Sequence, residues 1–321
     1  MAIATNTFTR YEQIGVKEQL SNIIYNISPE DTPGMSNAGR GVAENSFVEW
    51  QQDSLAAAAT NAHIDGDDAP AATAVVPTVR IGNYCQISIK TPLVSDRTRV
   101  MKTAGRSDEL AYQVAKMGAE LKRDMELIMF GTNQVATAQD TTTAPLTAGL
   151  MNWLKTNFSN GGGAAAEPSY TTLPNNARTD GTPRPFTEAI LKASQAKCFT
   201  SGGKPTILMV GPVNKQRSSG FAGIAALTSF TTGNKQPSII GAASVYVGDF
   251  GTVTIVPNRF QRERDAFLID PDYLDVLYLR PFKTVELAKT GDAEKRMLLV
   301  DYQLKVGTEK AHAMIADLTT T

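Results

Sequence analysis

The sequence predicts an α+β protein whose main body carries two extensions. Three patterns predict this class. Bulky and alternating apolar residues favour strands over 44–54 and 79–90, an apolar stripe with helical spacing covers 107–130, and helices alternate with strands after about residue 186. The chain has 321 residues, which is room for about two domains.

The first segment, residues 1–43, is predicted to be an arm. Residues 11–27 have the apolar pattern of one short helix, and the following stretch contains Pro29, Pro33 and Gly34, which end a helix. One small helix cannot bury its apolar face by itself. We therefore expect the arm to pack on another surface, either of its own body or of a neighbouring chain.

Residues 44–95 are predicted to form a projecting hairpin. Phe47 and Trp50 have the bulk typical of strand residues, and the second strand, over 79–90, is predicted to contain a bulge or bend at Gly82-Asn83. A long stretch of weak pattern separates the two strands. Connections of that length inside a compact domain are usually functional or mobile.

Charge is distributed unevenly around this hairpin. Residues 46–76 contain acidic side chains and no Lys or Arg, whereas residues 97–106 contain basic side chains and no acid. Opposite patches of this kind favour contact between subunits, although two separately solvated faces would give the same pattern. The candidate contact residues are Phe47, Trp50, Asp65, Asp67, Asp68, Arg97, Arg99, Lys102 and Arg106.

The clearest predicted helix covers residues 107–130. Apolar residues recur there at spacings of three and four, Ser107 is the expected N-cap, and Gly131 ends the helix. Lys122 and Glu126 form an i,i+4 pair that we expect on the polar side. About 23 residues would make a rod of roughly 35 Å.

The second half, residues 186–321, predicts alternating helices and strands. A helix is expected from Phe186 to Phe199, and a loop over 220–241. The apolar run 206–210 is typical of a strand that is buried on both faces. Further predicted strands are Ser244–Val247, Thr252–Val256, Ala266–Ile269, Tyr273–Leu279 and Met297–Val306.

Composition excludes several classes of function. The chain has 31 basic and 32 acidic residues, so its net charge of -1 does not fit a dedicated basic nucleic-acid binder. A hydrophobic content of 42% is enough for a sizeable core, which argues against disorder. No apolar run approaches the length of a membrane span, and the N-terminus lacks a secretion signal.

Motif searches identify no catalytic, cofactor or metal site. The Gly203-Lys204 pair is followed by Pro205, which excludes a phosphate-binding loop, and the acidic cluster at 65–68 departs from a calcium-binding loop. The spacing of the cysteines and histidines fits no zinc site. These residues are Cys85, Cys198, His63 and His312. We expect both thiols to be core residues in a reducing cytoplasm, with a Cys–His nucleophile pair as the minor alternative.

Several strings resemble the major head proteins of tailed bacteriophages. In the first 60 residues they are Asn6-Thr7-Phe8-Thr9, Ile24-Tyr25-Asn26-Ile27-Ser28-Pro29, Thr32-Pro33, Trp50-Gln51 and Asp53-Ser54-Leu55-Ala56. Near the end they are Tyr278-Leu279-Arg280-Pro281-Phe282, Leu287-Ala288-Lys289-Thr290-Gly291-Asp292, Glu294-Lys295 and Glu309-Lys310-Ala311-His312. The resemblance covers most of the chain and is weakest over 132–185.

This resemblance implies a Hong Kong 97-like capsid fold. Its parts would be an N-terminal arm at 1–43, an extended β-hairpin loop at 44–95, a peripheral domain at 96–185 with a spine helix at 107–130, and an axial domain with returning peripheral-domain strands at 186–321. The order of these parts agrees with the elements predicted from the residues.

The resemblance also implies a structural role and no enzymatic one. The chain would form hexamers and pentamers of an icosahedral head that encloses phage DNA, so we expect it in the virion, assembled in the cytoplasm of a bacterial host. Portal, scaffold and cement or decoration proteins are expected partners, DNA would be contacted non-specifically, and neither a membrane nor a cofactor is expected. Two alternatives are an encapsulin-like nanocompartment shell and a soluble α/β enzyme with a mobile acidic lid at 55–76. The lid would require Asp65, Asp67 and Asp68 to lie over a concave pocket.

Overall fold

The structure is a computed structural model that describes residues 31–66, 68, 72–101, 108–221 and 244–320. Its helices are α1 (Pro33–Asn37), α2 (Asp96–Val100), α3 (Glu109–Glu126), α4 (Glu188–Thr200) and α5 (Pro212–Ser219). Its strands are β1 (Gly39–Val42), β2 (Phe47–Gln52), β3 (Val79–Tyr84), β4 (Gln86–Lys90), β5 (Leu93–Ser95), β6 (Phe158–Ser159), β7 (Ile207–Val210), β8 (Val245–Gly248), β9 (Gly251–Pro257), β10 (Ala266–Ile269), β11 (Leu274–Glu286), β12 (Ala293–Val306) and β13 (Ala313–Ile315).

Two predicted features lie wholly or mostly outside the described residues. They are the helix at 11–27 and the loop at 220–241. Within the part of the chain that is described, no helix is long and apolar enough to cross a membrane.

The first sheet contains five strands in the order β1-β11-β12-β4, and β5 pairs with the other end of β12. β1 runs parallel to β11, and the remaining pairs are antiparallel. β11 and β12 form a hairpin that is longer than predicted from 273–279 and 297–306. The register shifts between Tyr278 and Lys283 explain the difference, because these irregularities interrupt the two-residue alternation used to find the strand.

The helix α3 lies across one face of this sheet. Lys90 Nζ, on β4, is 3.0 Å from Glu120 Oε2 and 2.9 Å from Asp124 Oδ2, both on α3. Leu121 and Met125 are buried beneath the helix, as the predicted apolar stripe requires. The spine-like position of α3 therefore depends on one apolar stripe and one three-residue ion cluster.

The ends of this helix differ from the prediction over 107–130. The predicted cap, Ser107, lies outside the described residues, and Asp108 Oδ1 accepts from the backbone N–H of Leu110 at 2.9 Å instead. After Glu126 the chain continues as a π-helical turn, Leu127–Gly131, which a 3.6-residue pattern does not distinguish from an α-helix. The α-helical part has 18 residues and is thus about 27 Å long.

The predicted strand over 79–90 is two strands. β3 pairs with β2 in a two-stranded ribbon, whereas β4 pairs with β12 in the first sheet. The break between them lies at Cys85 and not at Gly82. Gly82 is instead regular in the ribbon, where a Cβ atom would come within 2.7 Å of the Phe47 ring. The apparent slip in the pattern instead reflects Asn83, a buried polar residue whose Nδ2 donates to the carbonyl oxygen of Leu304 at 2.7 Å.

The second sheet contains six strands in the order β6-β13-β10-β7-β9-β8. β7 and β10 are buried along their whole length, as predicted for residues 206–210. α4 packs over one face, with Leu191 and Cys198 in contact with that face of the sheet, and the other face joins the main core around Trp153. β6 lies inside the predicted peripheral domain at 96–185, yet it pairs with β13 in this sheet.

A buried charge cluster ties distant parts of the second sheet together. Arg178 Nη1 is 2.7 Å from Asp265 Oδ1, and Arg178 Nη2 is 2.9 Å from Asp317 Oδ1, with all three side chains fully buried. Asp317 adopts a positive φ of 59°, and its carboxylate accepts from the N–H groups of Gly161 at 3.1 Å and Gly181 at 2.8 Å. The unusual backbone conformation places one carboxylate where several donors converge.

Candidate assembly surfaces

The root of the hairpin is fixed to the body by two side chains of β2. Trp50 Nε1 donates to the carbonyl oxygen of Val306 at 3.1 Å, and Gln52 Nε2 donates to that of Gly307 at 2.6 Å. The Trp50 ring also lies 5.4 Å from the ring of the buried Trp153. Trp50 therefore holds the ribbon against its own chain.

The rest of the ribbon is held by contacts between its two strands. The Phe47 ring lies 4.5 Å from the Tyr84 ring, and Arg80 Nε lies 2.9 Å from Glu49 Oε1. Phe47 is only half-buried by this contact. Contact of Phe47 or Trp50 with another subunit stays a prediction.

Beyond the ribbon, the chain carries exposed apolar side chains. We call residues 53–78 the hairpin loop, and its described residues are all exposed. Leu55 is 98% exposed and Val75 is 92% exposed. Burial of such a side chain contributes roughly 1.5–3 kcal/mol, so this surface would gain from being covered.

The acidic candidates lie within the hairpin loop. Asp65 and Asp68 are exposed, and Asp67 lies outside the described residues. Gly66, between them, has a φ of 83°, a conformation that favours glycine. The charge pattern predicted for the loop is therefore presented on a turn that faces solvent.

The basic candidates are less uniform than their sequence predicts. Arg97, on α2, is exposed, whereas the guanidinium of Arg99 contacts the carboxylate of Glu294 and lies 3.7 Å from Asp96 Oδ1. Part of the basic charge is thus neutralised inside the chain. The other two candidates, Lys102 and Arg106, lie outside the described residues.

The point where the N-terminal segment joins the body is fixed by a buried carboxylate. Glu126 accepts from the backbone N–H of Gly34 at 2.7 Å, from that of Met35 at 2.9 Å, and from Asn258 Nδ2 at 2.7 Å. Burial raises the pKa of Glu126, and these hydrogen bonds oppose that rise. The predicted exposed pair of Glu126 with Lys122 is therefore wrong, because Glu126 lies where α3 passes under α1.

Nucleophilic chemistry at the cysteines is not supported by their environments. Cys85 and Cys198 are buried, as predicted, and burial raises the pKa of the first thiol to about 11 and that of the second to about 12. His312 is also fully buried, and its Nδ1 accepts from the N–H of Asp270 at 3.1 Å. No cluster of metal-binding side chains occurs among the described residues.

The alternative of an acidic lid requires its acidic side chains to lie over a cavity. A cavity of about 750 Å³ opens at the hairpin root, and Leu55, Tyr170 and Glu309 contribute to its lining. Neither Asp65 nor Asp68 lines it. Asp65 and Asp68, the described members of the proposed lid's acidic cluster, therefore do not contribute to this pocket.

The fold of this chain is similar to the folds of two proteins in solved assemblies. The capsid of cyanophage A-1(L) has a subunit with a TM-score of 0.66 and 13% identity to this chain, covering 95% of this chain and 98% of that one. An encapsulin complex from Synechococcus elongatus gives a TM-score of 0.59 and 11% identity, covering 95% and 94%. The chain thus shares a fold of mixed α/β structure with a subunit of a phage capsid and with a protein of an encapsulin complex.

The family is narrower than the fold. The model of the SU10 major capsid protein family matches residues 3–319, and the chain belongs to this family. The major capsid protein of Escherichia phage Phieco32 is 27% identical over an alignment of 335 positions that covers 93% of each chain. The protein is therefore a structural component of an icosahedral tailed-phage capsid and forms a homo-oligomeric shell in the virion. Neither the enzyme nor the nanocompartment alternative is favoured.

Proposed function

We propose that the chain builds this shell in the Hong Kong 97-like manner. The first sheet and α3 serve as the peripheral domain, and the second sheet serves as the axial domain. The hairpin loop at 53–78 extends over neighbouring subunits, whereas α1 and β1, which fall within the predicted arm at 1–43, pack on their own body. The observation that carries this proposal is the contrast between a hairpin root anchored to its own body and a loop with exposed apolar side chains.

The energetic argument rests on repetition. Full burial of Leu55 or Val75 would contribute only about 1.5–3 kcal/mol per side chain. A closed shell repeats each contact in every subunit, so weak individual contacts add up to a stable particle. The net charge of -1 also supports this role, because near-neutral copies approach without strong repulsion.

Complementary charges provide the second part of the proposed contact. The acidic side chains of the hairpin loop, Asp65, Asp67 and Asp68, would face the basic segment 97–106 of a neighbouring copy. Arg97 is the best-placed described residue for this role because it is exposed. Arg99 would contribute less, since its guanidinium already contacts Glu294.

Two charge reversals separate these roles. We expect Arg97→Glu to reduce shell yield without changing the melting temperature of the free subunit, because the residue is exposed. Arg99→Glu should lower that melting temperature, because it places like charge next to Glu294. Equal shell yield from Arg97→Glu and the wild-type chain would contradict the proposed contact.

Electron microscopy and sedimentation of the purified full chain test the proposed assembly directly. We expect closed particles built from hexamers and pentamers, formed in the cytoplasm of a bacterial host. Co-expression with portal, scaffold and decoration proteins would establish which of these partners the shell requires. A chain that stays monomeric at every concentration, with and without these partners, would overturn the proposal.

A further inference from the structure

The first sheet has a partly uncovered face on the side opposite α3. Lys90 points toward α3, where it pairs with Glu120 and Asp124, so the alternate residues of β4 lie on the other face. These residues are Ile87, which is 40% exposed, and Ile89, which is 50% exposed. This face therefore presents aliphatic side chains to solvent.

A small cavity lies between this face and the turn at 138–145. Its volume is about 190 Å³. It is thus smaller than a typical pocket for a drug-sized ligand and is on the scale of one long side chain. Its lining is Ser46, Tyr84, Cys85, Ile87, Ala138, Gln139, Pro145, Leu279 and Asp301.

Asp301 is the charged member of this lining, and it is only 3% exposed. Its Oδ2 accepts from Arg280 Nε at 2.5 Å. Its Oδ1 is buried and has no hydrogen-bond partner among the residues that the structure describes. A buried carboxylate oxygen without a donor is costly, so the site is incomplete as it stands in the single chain.

We propose that this cavity receives a Lys or Arg side chain from a second copy of the chain. The aliphatic stem would pack against Ile87, Leu279 and Pro145, and the cationic head would donate to Asp301 Oδ1. A basic side chain fits better than an apolar one, because only a donor satisfies the carboxylate. The inference rests on the proposed assembly and adds a specific contact to it.

A second copy is the favoured occupant because the chain contains both halves of the contact. Besides the acidic cavity, it presents exposed basic side chains other than the one assigned to the hairpin loop, for example Lys122 on α3 and Lys283 on β11. The capsid is built from many copies of this chain, so complementary surfaces on one chain meet repeatedly.

Photo-crosslinking in assembled shells tests this contact. A benzophenone amino acid replaces Gln139, an exposed residue of the lining, in shells made from mixed heavy-isotope and light subunits. We expect crosslinks between heavy and light chains that map to a peptide containing Lys or Arg. The same amino acid at Ala115, an exposed residue of α3 on the other side of the sheet, is the matched control and should not label that peptide.

The outcomes distinguish this contact from the assembly itself. If neither the wild-type chain nor any variant forms shells, both proposals are overturned. Normal shells in which Gln139 labels only its own chain, a different protein, or nothing would overturn the proposed contact alone. Labelling of the same chain would identify a segment of that chain as the occupant.

Substitution of the carboxylate provides a second test. Asp301→Asn should raise the subunit concentration needed for assembly by about tenfold or more, because the cationic head loses its charged acceptor. Asp275→Asn, in the partly exposed pair with Lys305 at 3.6 Å on the same sheet, is the control and should leave that concentration unchanged. Equal thresholds for both variants would contradict the proposal. If Asp301→Asn fails to fold, the crosslinking result, which keeps Asp301, decides.

Discussion

The charge cluster around Arg178 and the hairpin loop at 53–78 show opposite relations between a segment and its own chain. In the cluster, a fully buried guanidinium has carboxylate partners on both sides. In the loop, apolar side chains such as Leu55 remain in solvent. The charges of the cluster are paired within one chain, whereas the loop gains from a surface that another chain provides. This difference separates residues needed for folding from residues needed for assembly.

The largest expected effect comes from breaking the charge cluster. Arg178→Met would leave Asp265 and Asp317 buried without their central partner. We expect the free energy of unfolding of the dissociated subunit to fall by about 3–5 kcal/mol, because removing one member of a buried pair leaves uncompensated charge. Chemical denaturation of the unassembled subunit measures this change.

An exposed ion pair provides the control for that variant. Arg80 Nε lies 2.9 Å from Glu49 Oε1, and the arginine side chain is 69% exposed. Arg80→Met should therefore cost no more than about 1 kcal/mol. Equal losses for the two variants would show that burial does not distinguish these pairs.

The pH dependence of folding gives the next largest effect. Burial lowers the pKa of His312 to about 4, from an ordinary value of 6.5. Between these values the unfolded chain binds a proton that the folded chain does not, so stability present above pH 6.5 is lost as the pH falls toward 4. The slope from this residue approaches about 1.4 kcal/mol per pH unit.

Urea unfolding at pH 7 and pH 4.5 checks this assignment. His312→Asn should show a smaller loss of stability over this range than the wild-type chain, because the titrating group is gone. His63→Asn, in the exposed hairpin loop, is the matched control for replacing a histidine. If His312→Asn loses as much stability between pH 7 and pH 4.5 as the wild-type chain does, the role given to the burial of His312 is contradicted.

The same contrast explains which parts of the fold are predictable from sequence. β7, β10 and α4 were predicted with small errors, because each is a continuous segment with its own apolar pattern. β1 and β13 are not predictable in this way, because Gly39–Val42 contains one apolar side chain and Ala313–Ile315 is too short to show a pattern.

The charge cluster was missed for a similar reason. Arg178 is 87 residues from Asp265 and 139 residues from Asp317, so no local spacing indicates their contact. Glu126 was misplaced because a helical pattern shows which face is apolar but not that another segment crosses it. Of the candidate contact residues, the exposure of Asp65, Asp68 and Arg97 agrees with their charge pattern. The pairing of Arg99 with Glu294 lies beyond any local pattern.

A smaller effect is expected where α3 rests on the first sheet. Lys90→Met removes the ion pairs to Glu120 and Asp124, in which the lysine side chain is 27% exposed. We expect a loss of about 1 kcal/mol, since these groups are partly screened by solvent. Lys192→Met, which removes an i,i+4 pair with Glu188 at a more exposed position, should cost about 0.3–0.5 kcal/mol. Thermal denaturation of the two variants should show the larger loss of stability for Lys90→Met and the smaller loss for Lys192→Met.

The smallest effect on folding should come from the hairpin loop, and it should coincide with a clear effect on assembly. Leu55→Ser combined with Val75→Ser changes two side chains that are 98% and 92% exposed. The free energy of unfolding of the dissociated subunit should therefore stay within about 0.5 kcal/mol of the wild-type value. Shell yield, measured by sedimentation and electron microscopy, should fall, because the covering surface of the neighbouring copy no longer buries apolar groups.

The conservative double variant Leu55→Met with Val75→Ile keeps the apolar character of the loop and should keep shell yield. Because the serine and methionine–isoleucine variants differ in apolar area but not in position, their comparison isolates burial from loop geometry. Normal shells from the serine variant would mean that the loop is held by its backbone or its charges. A large loss of subunit stability would mean instead that the loop packs on its own body. Either result would remove the distinction between a body that is complete in one chain and a loop that is completed by another.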